Sequence, residues 1–170
     1  MGMYQNIQDI LKVLRNDEEI LRLLYYMPKN IAKKIPDPLD KSLPDILTFD
    51  PLELKKIRED LIMLTPKDDD LVNASKCRLF VYLGDRFPNG GRKSFQTVTQ
   101  DVVVDIFCQA DFENGDMRSN RIADRLNDIF CLKPVTGLGK MDYSRGRIIS
   151  RVPSQYVAYQ HVYEFGGTKS

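Results

Sequence analysis

Apolar positions recur with a helical period at the start of the chain, where Ile7, Ile10, Leu11 and Leu14 fall on one face. Asn16-Asp17-Glu18-Glu19 then reads as a helix restart, with Asn16 as the cap and Glu19 three residues on reaching back to it. The cluster Ile20, Leu21, Leu23, Leu24 and Tyr25 follows, and Met27-Pro28 ends it, because the residue before a proline avoids the helical region. Pro28, Pro36, Pro38, Pro44 and Pro51 forbid long regular structure over 28–51 and predict an extended or wrapped arm. Asp50 and Pro51 suit the cap and first turn of a short helix over LELKKIREDLIML. Thr65-Pro66-Lys67-Asp68-Asp69-Asp70 is a solvated break.

Beyond residue 70 the period changes to two. Cys77, Leu79, Val81 and Leu83 alternate with Arg78, Phe80 and Tyr82. Residues 84–95, GDRFPNGGRKSF, read as a long turn-rich loop. Val98, Val102, Val104, Ile106 and Cys108 then oppose Thr99, Asp101, Val103, Asp105 and Phe107. DFENGD (111–116) reads as a turn. RSNRIADRLNDIF (118–130) carries Ile122, Leu126, Ile129 and Phe130 as one helical stripe, with Arg121, Asp124, Arg125 and Asp128 off it. LGKMDY (138–143), GRIIS (146–150) and QYVAYQHVYEF (155–165) read as further strands, and Gly166-Gly167 ends the fold.

The chain thus divides into residues 1–70, helices plus a proline-rich arm, and 71–170, an α+β domain of order β-β-α-β-β. One helix burying its stripe against a mostly antiparallel sheet is a two-layer sandwich.

Composition adds little that is specific. Net charge is +1, from 25 basic and 24 acidic residues, which argues against a protein whose main task is gripping nucleic acid but leaves room for a local basic patch. Cys77, Cys108 and Cys131 form neither a disulfide framework nor a zinc spacing and read as reduced thiols. The N-terminus has no apolar signal core, and no apolar run is long enough to span a membrane.

Candidate chemistry is sparse. The single histidine, His161, sits mid-strand between Tyr159 and Tyr163 with no local nucleophile. Asp68-Asp69-Asp70 splays its carboxylates. Asp101 and Asp105 share a strand face and, with Asp68, supply the acids for an alternative reading as a metal-dependent phage enzyme. Gly137-Leu138-Gly139-Lys140 is too short for a phosphate loop. Arg86, Arg92 and Lys93, with Phe87 and Phe95, suit a partner contact, with nucleic acid as the competing ligand. Arg118, Arg121 and Arg125 read as a solvated helix face or a subunit contact. These eight residues are the contact candidates. No catalytic, cofactor or metal residues are assigned.

The strand CRLFVYLGDR, the strand DVVVDIFCQ, the helix RSNRIADRLNDIF, the turn TGLGKMDY and the closing strand YVAYQHVYEFGG, with Pro153 before it, resemble in order and pattern the tail-terminator and neck proteins of tailed phages. The resemblance spans residues 77–167 and contains no catalytic signature. It implies a structural virion protein, assembled in the host cytoplasm, that forms a ring, commonly a hexamer, at the head-proximal end of the tail tube. Its partners would be further copies of itself, the tail-tube protein and the head-completion or connector protein, with phage DNA passing through the lumen without sequence-specific binding. The helical first 70 residues exceed the simplest terminators, so a head-completion or collar role is the alternative. The arm 28–51 and the loop 84–95 are the segments expected to reach neighbouring chains.

Overall fold

In a computed structural model, which describes residues 2–88, 98–137 and 139–166, five strands form one sheet in the order β1-β2-β3-β5-β4. They are β1 (Ile62–Met63), β2 (Cys77–Pro88), β3 (Val98–Gln109), β4 (Asp142–Ile148) and β5 (Tyr156–Gly166). β1 runs parallel to β2, and every other pairing is antiparallel. The helices are α1 (Met3–Arg15), α2 (Glu18–Tyr25), α3 (Pro51–Leu61), α4 (Ala110–Asp116) and α5 (Arg118–Phe130). This is the α+β sandwich expected from the sequence. The helix layer, however, holds more than α5.

One apolar cluster explains why. Leu79, Val81, Val104 and Ile106 from the sheet, Ile122 and Leu126 from α5, Ile10 and Leu14 from α1, and Ile20 and Leu21 from α2 are all buried together. Residues on both sides of position 70 therefore complete a single core. Each such aliphatic side chain contributes roughly 1.5–3 kcal/mol by leaving water. The strand residues between them point the other way, as the pleat demands. Phe80 and Phe107, edge to face at 5.0 Å, with Leu71, Tyr156 and Ala158, form a second, smaller cluster on the opposite face.

Local signals set most boundaries. Asp50 caps α3 by accepting from the Leu52 and Glu53 amides, with Pro51 in the first turn, as expected. α2 is capped by Asp17, not Asn16: its side chain accepts the Ile20 amide at 2.9 Å. Asn16 instead donates its side-chain amide to the Lys12 carbonyl at 2.7 Å, closing the end of α1. DFENGD is helical rather than a turn. Gln109 caps it through the Asp111 amide at 2.7 Å, and Phe112 is buried beneath it. Met117, at φ 51°, turns the chain from α4 into α5, and Glu113 accepts both the amide and the hydroxyl of Ser119 at the new helix start.

Two strand readings also change. β2 continues to Pro88 through a register shift between Leu83 and Arg86, so Gly84–Pro88 belong to the hairpin, not to its loop. The segments 138–143 and 146–150 are not two strands. Their middle forms the single strand β4, with a register shift between Tyr143 and Arg145. Gly166 closes β5 at φ 98°, where an added Cβ would press on the Val98 carbonyl oxygen.

Candidate assembly surfaces

The three arginines of α5 all bond to groups of the chain itself. Arg118 is fully buried. Its guanidinium donates to the Leu23 and Tyr26 carbonyls at the end of α2 and to both carboxylate oxygens of Asp116, the closest at 2.8 Å. The Phe112 ring stacks 5.0 Å from its charge centre. Arg121 donates through two nitrogens to Asp37 in the arm at 2.9 and 3.0 Å, and Arg125 donates to Asp17 at 2.6 and 3.1 Å. Arg118 is therefore not part of a solvated face, while Arg121 and Arg125 are half-buried and paired within the chain. They pin the N-terminal segment to α5. The bond from Arg121 holds the Asp37 carboxyl below its ordinary range, and Asp37 in turn raises Arg121.

The arm is gathered onto the same body. Arg22 donates to the carbonyls of Pro38, Asp40 and Leu43, and Tyr26 donates its hydroxyl to the Pro44 carbonyl at 2.7 Å. It also holds a small loop closed by the Asn30–Ile35 bridge, where Ile31 is 84% exposed.

The sheet face away from the helices is polar toward its β4 side. Asp105, 5% exposed, accepts from the Tyr82 hydroxyl at 2.8 Å and from Gln160 Nε2 at 2.9 Å, and Arg147 Nε donates to Gln160 Oε1 at 2.9 Å. Burial holds the Asp105 carboxyl above its ordinary range. Burial and the neighbouring carboxylate push the Tyr82 hydroxyl up to about 12. Asp101 does share this face, as its spacing predicts, but it sits 3.2 Å from Arg145 Nη2. That is close enough for an ion pair, although its Oδ2 lacks an aligned hydrogen bond. At the other end of the face Arg78, fully buried, clamps Asp60 and Asp70 and donates to the Lys67 carbonyl. The Arg78 bond holds Asp70 down at about 2. Asp70 thus anchors the 3-10 turn Asp69–Asn73 to the sheet, while Asp68 stays exposed. Among the described residues no group of three or more His, Cys, Asp or Glu is placed to hold a metal ion. His161 is half-buried, 3.4 Å from the Tyr143 hydroxyl, and burial lowers its pKa.

Among the described residues, two surfaces combine exposed apolar side chains with strand backbone. β4 is an edge strand, and all seven of its residues are exposed. Ile148 at 64%, Tyr143 at 45% and, on the neighbouring β5, Tyr159 at 39% make this edge partly apolar. The second is the end of the β2–β3 hairpin, where Arg86 pairs across from Gln100 and Phe87, 57% exposed, from Thr99. The other hairpin candidates, Arg92, Lys93 and Phe95, lie outside the described residues. The β4 edge is the surface that sequence reasoning missed. The only available signal was the exposed pattern Tyr-Ser-Arg-Gly-Arg at 143–147, which period-two analysis does not separate from a turn.

A solved chain from the virion of a native gene transfer agent particle superposes with a TM-score of 0.41 at 12% identity, covering 71% of this chain and 87% of that one. The SPbeta prophage-derived uncharacterized protein YomW of Bacillus subtilis (strain 168) is 31% identical over 177 residues, spanning 98% of this chain and all of that protein. The sequence model of the YomW family matches residues 17–165, which takes in α2 to α5 and the sheet but not α1, and the chain belongs to the YomW family.

Proposed function

We propose that the chain is a non-enzymatic structural subunit of a tailed-phage neck, of the tail-terminator or tail-completion type. In this reading it forms a ring, hexameric by resemblance, that caps the tail tube and meets the head-completion protein while DNA passes through the lumen. The observation that carries the proposal is the β4 edge. Exposed edges in natural proteins are usually short, covered or charged, because their unpaired backbone groups recruit other strands. Here Asp142, Arg145, Arg147 and the register shift after Tyr143 guard part of the edge, while exposed Tyr143 and Ile148 leave it partly apolar at the border of the sheet. Antiparallel self-pairing centred on Gly146 would set Arg145 of one copy against Arg147 of the other, and like charges directly opposite are destabilising. That disfavours a two-fold dimer in this register and favours a head-to-tail contact, the kind that closes rings. Ile31 on the arm and Phe87 on the hairpin are further apolar points for the same neighbours. The prophage origin of the Bacillus subtilis relative agrees with this setting.

The buried acids support the absence of chemistry. The two carboxylate oxygens of Asp105 each take a neutral donor, and Asp101 faces an arginine. Both read as internal braces of the face.

The test is native mass spectrometry and negative-stain imaging of the purified protein, alone and incubated with tail tubes. Closed rings are expected in at least one condition. Ile148→Lys is expected to abolish them while leaving the circular dichroism spectrum unchanged. Rings that persist in that variant would remove β4 as the contact, and a chain that stays monomeric and ignores tail tubes would overturn the proposal.

A further inference from the structure

Between α1 and α3 lies a cleft of about 270 Å³, apart from every surface described above. Lys12 and Arg15 are three residues apart on α1, and Lys55 and Arg58 are three apart on α3, so each pair shares one helix face. The two faces meet, and these four cations line the cleft with Glu59 as the one carboxylate.

Part of this charge serves the fold. Arg58 donates Nε to the Arg15 carbonyl at 2.6 Å and Nη2 to Asn16 Oδ1 at 2.8 Å, and Arg15 donates Nη2 to the Ile62 carbonyl at 3.0 Å. Basic groups also suit the negative end of α1. Two features remain unaccounted for. Arg15 Nε is buried with no acceptor. Lys55, 70% exposed, sits at the rim with only a loose 3.8 Å contact to Glu59. Burial, opposed by Glu59 and reinforced by the nearby Arg58 charge, lowers the pKa of Arg15.

We propose that the α1–α3 cleft is an anion site that takes a phosphate group. Several cations around one carboxylate leave a positive excess that a bound anion relieves. A planar carboxylate is best held by one guanidinium fork. Both forks here are partly committed to backbone and Asn16, so fork-to-carboxylate pairing is largely spent. The remaining donors, the ammonium groups of Lys12 and Lys55, come from two helices. They suit a tetrahedral group that accepts from several sides. The phosphate could belong to a nucleic-acid backbone or to a free ion, and the site does not depend on the neck assignment.

The experiment is calorimetric titration of the full chain at low and moderate salt with inorganic pyrophosphate, with duplex DNA and with polyglutamate. The variant is Lys12→Gln/Lys55→Gln, with Lys29→Gln/Lys33→Gln, both exposed, as the charge-matched control. Pyrophosphate is expected to bind, more weakly as salt rises. The cleft variant should lose about tenfold or more in affinity while the control keeps it. DNA binding lost in the same variant assigns the backbone as source, with the salt slope reduced by about one for each cation removed; pyrophosphate binding without DNA binding assigns the free ion. No pyrophosphate binding at low salt, equal affinity in the cleft variant, or tighter binding of polyglutamate than of pyrophosphate would overturn the proposal.

Discussion

Replacing Arg118 by alanine is the most searching perturbation of the fold, because that guanidinium joins three elements. The substitution leaves the Leu23 and Tyr26 carbonyls without their donor, and it leaves Asp116, whose side chain is 9% exposed, with only the longer 3.3 Å contact from Arg121. Breaking a buried pair by removing one member costs about 3–5 kcal/mol. The surviving contact from Arg121 places the expectation near the lower end, about 3–4 kcal/mol. Domains of this kind carry only about 5–15 kcal/mol in all. With a urea slope of about 2 kcal/mol per molar, the midpoint should fall by about 2 M. Arg118→Lys should recover less than half of the loss, since an ammonium cannot serve a carboxylate and two carbonyls from one planar fork. Arg121→Ala is the internal comparison. Its pair with Asp37 is partly exposed on both sides, at 27% and 38%, and should be worth about 0.5–1 kcal/mol. Hydrogen exchange should show α2 losing protection first in the Arg118 variant. An Arg118→Ala protein within 1 kcal/mol of the parent, or one no weaker than Arg121→Ala, would refute the claim that these arginines pin the N-terminal segment.

Other outcomes follow from the same contacts. Asp70 is held at about 2 by Arg78, against an ordinary 3.8. Its contribution to stability is complete above the ordinary value and is lost as pH falls from there through about 2, so urea titrations over that window should lose part of their pH dependence in Asp70→Asn. Cys77 and Cys108 face each other across β2 and β3, both fully buried. Burial pushes the Cys108 thiol well up, and Cys77 beside it adds to the shift. A thiol reagent should therefore modify only Cys131 in the native protein and all three cysteines in urea; rapid native labelling of Cys77 or Cys108 would show that the hairpin opens.

Much of this fold was legible in the sequence because its strands and its longest helix have clean periods. The alternation over 77–83 and 98–108 sends Leu79, Val81, Val104 and Ile106 to one face, where they lie in the core. Ile122, Leu126 and Phe130 do the same for α5. The failures share a cause, which is that the deciding partner is distant in sequence. DFENGD contains Asn-Gly and looks like a turn, yet Gln109 caps it and Phe112 has a core to enter. Arg118 continues the apolar stripe one turn before Ile122 and so points inward, while Arg121 and Arg125 lie off it; nothing in a helical wheel reveals that Leu23, Tyr26, Asp37 and Asp17 come to meet them. Asn16 and Asp17 are equally good caps in isolation; the second carboxylate contact to Arg125 suits Asp17 to the place. β4 was divided in two because the irregularity after Tyr143 interrupts its period.

The central claim is that these side chains are arranged to pack and to dock as part of a particle. Its most direct test is to purify the particles made by cells carrying the intact phage genome, identify the polypeptide in them by mass spectrometry, and locate it by electron cryomicroscopy. A closed ring of this chain is expected at the junction of tail tube and head, with β4 against the neighbouring subunit. Complete, infectious particles that lack the polypeptide would contradict it.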